Sequence, residues 1–147
     1  MYLLVTILLL QTTPVLADPA VDARVDALLS GYEYVPTAKD WAGVGEGVQA
    51  VLLARAVDAT APLTRRARAV SALVHFPTEA VRKRLEAWLA DAKAPPIIRR
   101  KAAAVLGAAF AERAGPALRA AAADPDPLLQ EAARRALAPP APTVRKP

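Results

Sequence analysis

From Gly47 to Leu137 apolar residues return every three or four positions. Ile98, Ala102, Val105, Leu106 and Ala109 fall on one stripe of a helix. Val81, Leu85, Trp88 and Leu89 do the same on another. Two sets of helices follow from this period. The first covers residues 63–75, 97–112 and 127–137, and the second covers residues 47–57, 79–91 and 116–123. Proline and turn residues separate them. Pro62, Pro95 and Pro96 suit first turns, where the missing N–H is not needed. Thr78 fits an N-cap, and "AGP" (114–116) and "DPDP" (124–127) read as turns.

The pattern repeats. Leu52, Leu85 and Leu118 are 33 residues apart, and so are Asp58, Asp91 and Asp124. The last leucines of the first set, Leu73, Leu106 and Leu137, are spaced by 33 and then 31. One helix pair cannot bury its own stripe, but stacked pairs can. The expected fold is all-α: a short α-solenoid of stacked antiparallel helix pairs, about six to seven helices in all.

"IIRRKAAAVLG" (97–107) resembles the first-helix signature of bacterial HEAT-like repeats, matching at Ile98, Arg99, Ala102, Ala103, Val105, Leu106 and Gly107. "DPDPLLQEAARRAL" carries the same frame, with Gln130 where arginine is usual. The unit ending at Leu73 is more degenerate and has Val74 at the glycine position. The resemblance spans residues 47–137. It implies that Arg66 and Arg99 bond loop acids and tie repeats together; Asp58 and Asp91 each precede them by eight. It also implies that the second helices line a concave, partner-facing surface. Stepping by 33 then sets Gln49 beside Arg82, and Leu53 beside Glu86 and Arg119. Gln49, Arg82, Glu86 and Arg119 are the candidate protein-binding residues, expected to be exposed and close together. Arg99 is expected at the repeat junction, with Arg100 and Lys101 solvated on the convex side.

Ahead of this region, residues 18–46 form an N-terminal cap segment with a helix and an aromatic loop. Tyr32, Tyr34 and Trp41 sit within ten residues there. They either cover the open apolar end of the stack or form a recognition loop, since such side chains favour interfaces. Residues 1–17 read as a signal peptide. A short apolar run, then Val15 and Ala17, marks cleavage after Ala17. No Lys or Arg precedes the run, so a retained anchor and a mis-assigned start codon are the competing readings. Residues 138–147 hold four prolines and read as a disordered tail.

Composition narrows the function. Cysteine is absent, which removes disulfides, thiolate nucleophiles and cysteine metal sites. His75 is the only histidine and closes its helix. Ser30 and Ser71 sit in no nucleophile motif. No catalytic, metal or cofactor site is expected. The +5 charge is uneven: residues 18–58 carry seven acids and three bases (net −4), and residues 59–147 carry sixteen bases and seven acids (net +9). That basic half lacks the interleaved aromatics that stack on bases, so no nucleic-acid partner is expected. The expected partner is another protein of the cell envelope, bound by an exported, non-catalytic scaffold with no stable membrane insertion after cleavage. The alternative is an accessory or lyase-like HEAT-repeat protein that binds a small molecule or pigment. The export reading has a direct check. N-terminal analysis of protein made in its native cell should start at Asp18, and finding Met1 on cytosolic protein would overturn it.

Overall fold

A computed structural model describes residues 18–31 and 33–139 of the chain. Among these residues there are seven α-helices and no strands. They are α1 (Pro19–Ser30), α2 (Ala38–Ala42), α3 (Val48–Val57), α4 (Leu63–Ala72), α5 (Glu79–Ala90), α6 (Pro96–Ala121) and α7 (Pro127–Leu137); a 3-10 turn, Leu73–His75, extends α4. The signal-peptide reading, Tyr32 and most of the proline-rich tail lie outside the described residues.

Helix starts follow local chemistry. Asp18 accepts from the Ala20 N–H (2.9 Å) and Asp126 from the Leu128 N–H (2.9 Å), each ahead of a proline in the first turn. Thr78 caps α5 by accepting from the Val81 N–H. α3 begins after Gly47, whose φ of +83° is a left-handed conformation that side chains resist.

The helices pack as pairs: α3 on α4, α5 on α6 and α6 on α7, with α4 also lying along α6 and α1 along α3. One continuous core runs from Val21 in α1 to Ala133 in α7. Leu52, Leu85 and Leu118, the residues spaced by 33, are all fully buried, as are Leu73 and Leu106. Both predicted stripes face this core; of their residues only Ala109 is partly exposed. Trp41 and Val44 join the same cluster, so the N-terminal segment is continuous with the rest.

Three details differ from the sequence reading. "AGP" is not a turn: α6 continues through Pro116, and its break lies at Phe110 (φ −137°, ψ 20°). A proline inside a helix removes a hydrogen bond and crowds the carbonyl four residues back. The break at Phe110 lies six residues ahead of Pro116, which therefore stands past the first turn of the second helical segment. α2 is a short helix the periodicity does not signal. Leu137 is exposed although Leu73 and Leu106 are buried; among the described residues no helix follows α7.

Gly107 explains how closely α6 and α7 approach. A Cβ there would lie 2.6 Å from the Ala136 Cβ and 2.7 Å from its Cα. The obstacle is backbone, so it cannot swing away. Gly107→Ala should therefore destabilise by about 1–3 kcal/mol despite alanine's better helix propensity. Leu85→Ala and Leu106→Ala should each cost roughly 2–5 kcal/mol. Urea denaturation of the three variants checks both statements.

Candidate binding surfaces

Two surfaces carry the polar side chains of interest. The first crosses the starts of α3, α5 and the second segment of α6. The Thr78 hydroxyl at the head of α5 donates to Gln49 Oε1 on α3 (3.0 Å). Glu79 pairs with Arg82 one turn along, and across the gap with Arg113 of α6 (3.5 Å). Arg82 also pairs with Glu86, so its guanidinium is held between two carboxylates on its own helix. Those pairs follow from the i, i+3 and i, i+4 spacing. Arg82 hydrogen bonding, ahead of other causes, lowers the Glu79 pKa, and Glu79 in turn raises that of Arg82. Arg113 lies over the Phe110 ring, 5.8 Å from its centre.

Contacts link Gln49 to Thr78 and Arg82 to Glu79 and Glu86 on this surface, and they correct the expected freedom of these side chains. Arg82 and Glu86 side chains are only 18% and 26% exposed, because they are spent on each other and on Glu79. Gln49 is half-buried against Thr78, and Leu53 packs on the core. Arg119 is exposed, and its guanidinium folds back to within 3.1 Å of where a Gly115 Cβ would stand.

The second surface surrounds the aromatic loop. Arg68 of α4 donates to the Gly31 carbonyl, to the Tyr34 carbonyl (2.9 Å) and more weakly to Leu28 (3.4 Å). A guanidinium at the C-terminal end of α1 satisfies carbonyls the helix itself leaves open. At the other end of the loop Asp40 accepts from the Thr37 hydroxyl (2.6 Å), the Thr37 N–H (2.7 Å) and the Tyr34 hydroxyl (2.6 Å). Thr37 and then Tyr34 hold its carboxyl down to about 2, and Asp40 raises the Tyr34 phenol. Trp41 is 2% exposed and forms core, so only a sliver of its ring borders the groove beside the loop. Tyr34 is half-exposed and Val35 is 83% exposed. Between this loop, the end of α4 and α6 lies an open groove of about 400 Å³.

Arg99 lies at the junction between helix pairs and is 9% exposed. Its Nε donates to the Leu89 carbonyl (3.1 Å), and its Nη2 meets Asp124 (2.5 Å). Arg66 repeats the first bond, to the Ala56 carbonyl at 3.1 Å. The nearer acids, Asp58 and Asp91, do not pair with these arginines. Each instead accepts N–H bonds inside its own turn, Asp58 from Thr60 and Asp91 from Lys93. Arg99 meets the next acid in the series. At Gln130, where an arginine would stand, the side-chain amide donates to the Asp124 carbonyl (2.7 Å).

Two ties escaped the sequence reading. Arg55 of α3 binds Asp22 (2.9 Å) and Asp26 (2.8 Å) of α1. Its signal was the period itself, since Asp22 is 33 residues before Arg55. The Arg68 clasp has no such signal. The hydroxyls of Ser30 and Ser71 donate back to Asp26 and Ala67 in their own helices. His75 is exposed at the end of the 3-10 turn. Among the described residues no group of three or more His, Asp or Glu side chains is placed to hold a metal.

No family model matches the chain, and no curated protein or solved structure is similar to it.

Arg99 hydrogen bonding lowers the Asp124 pKa, ahead of the Asp126 N–H. A depressed carboxyl contributes stability that is present above its unfolded value of about 3.9 and fades as pH falls through the folded value. Arg99→Ala should cost about 1–3 kcal/mol at neutral pH. The gap from wild type should narrow as pH falls from about 4 through the lowered Asp124 value, leaving the part due to the Leu89 bond. Thermal melts of the two proteins across pH 2–7, a range bracketing that value, check this.

Proposed function

We propose that the chain is a short HEAT-like α-solenoid that serves as an exported, non-catalytic scaffold for another protein of the cell envelope. The repeated bonds of Arg66 and Arg99, each reaching a carbonyl ten residues back, support reading the helix pairs as repeats. The observation that carries the binding role is the alignment of three helix starts. Thr78 touches Gln49, and Glu79 touches Arg113, so α3, α5 and the second part of α6 present the same end to one side. That side is polar and made of residues from successive pairs. A broad surface of this kind suits a protein partner, which needs roughly 800 Å² on each side. Among the described residues no helix is long and apolar enough to cross a membrane.

Because Arg82 holds α5 together through Glu79 and Glu86, its replacement confuses stability with binding. Arg119 is the better probe, being exposed and in no ion pair among the described residues. Tagged protein should capture a specific partner from its own envelope fraction, and Arg119→Glu should weaken that capture at least about tenfold, the effect of some 1.4 kcal/mol. The melting temperature should stay unchanged. If Arg119→Glu captures normally while a double change at Arg100 and Lys101 destroys capture, the partner lies on the first-helix side and this reading of the face is wrong.

A further inference from the structure

The groove beside the aromatic loop calls for an explanation that the scaffold reading does not supply. It lies on the other set of helices, between the Tyr34–Pro36 stretch, the end of α4 and α6. Its volume, about 400 Å³, falls within the roughly 300–1,000 Å³ of small-molecule sites. Its apolar wall comes from Leu28, Val35, Trp41 and Val74. Val35 is almost wholly in water, an arrangement that costs free energy and packs nothing in the free chain.

The loop bearing Val35 is nevertheless fixed. Arg68 grips the carbonyls of Gly31 and Tyr34, and Asp40 grips Tyr34 and Thr37. The wall is therefore preorganised, which removes part of the ordering cost of binding. Charge fixes the class of occupant. The Arg68 guanidinium is consumed by the loop. Lys101 of α6 lines the groove, is half-exposed and makes no ion pair among the described residues. His75 is beside it, and the single acid of the lining, Glu33, is exposed to solvent.

We infer that this groove binds a small amphipathic anion, its apolar body against Val35 and Leu28 and its acidic head on the Lys101 ammonium. The site is independent of the partner-binding face, so either can fail without the other. Octanoate tests it, with octyl glucoside as a neutral compound of the same chain length. Titrated into the ¹⁵N-labelled full chain, octanoate should saturably shift the amides of Tyr34, Val35, Ser71–His75 and Lys101. It should bind about tenfold more tightly than octyl glucoside, the gain of one charge-assisted contact. Lys101→Met should erase that preference and leave octyl glucoside binding unchanged. Val35→Glu, at a position too exposed to matter for folding, should weaken both compounds. Shifts that are absent or confined to other regions would overturn the inference. Equal affinity for the two compounds, or a Lys101→Met chain that keeps its preference for octanoate, would overturn it too.

Discussion

Alanine-rich helices have little side chain to bury, and this constraint governs the whole structure. A face made of Ala67, Ala69, Ala102, Ala103 and Ala133 gains stabilisation only if its neighbours come very close. Large residues such as Leu52, Leu85, Leu106 and Leu129 fill the gaps between the small ones. Close approach leaves no room for loosely placed polar groups at the junctions. The arginines there must be satisfied by nearby backbone, as Arg66 and Arg99 are. It also explains Gly107, where even a methyl group would meet α7.

The parts of the fold legible in the sequence were those governed by this periodic burial. Leu85 and Leu118 were identifiable because a helical stripe and a fixed period must coincide if pairs are to stack. The ends of α6 were less legible. Pro116 marks a break, but a backbone yields where the surrounding packing allows it, and Phe110 is where the core permits the departure. Leu137 shows the opposite limit: its local pattern matches Leu106, yet among the described residues no helix follows α7 to bury it.

The candidate sites were legible only in outline. The period singled out Gln49, Arg82, Glu86 and Arg119, and the starts of α3 and α5 do meet where Thr78 touches Gln49. It did not reveal that Arg82 is occupied, although Glu79 and Glu86 at spacings of three and four already foretold it. The aromatic loop was conspicuous, but the division between buried Trp41 and exposed Tyr34 depends on contacts made far along the chain. Arg68 is the main such contact. Nothing in the local sequence distinguishes it from its neighbours Arg65 and Arg66.

The side-chain hydrogen bonds of Arg68 to the α1 end and the loop span 34 to 40 residues, and the two to α1 are wider than any other in the described chain. Most other ties join helices close in sequence, and chains with that topology fold fast. The clasp has a different kinetic character. It closes a long loop, so its entropy of closure is met only after α4 has a firm place to stand. The N-terminal helix is also held to α3 by Arg55, so it has a first anchor before the clasp closes. During synthesis Arg68 is made after the helix and loop whose carbonyls it binds. Those carbonyls stay unclasped until α4 has followed.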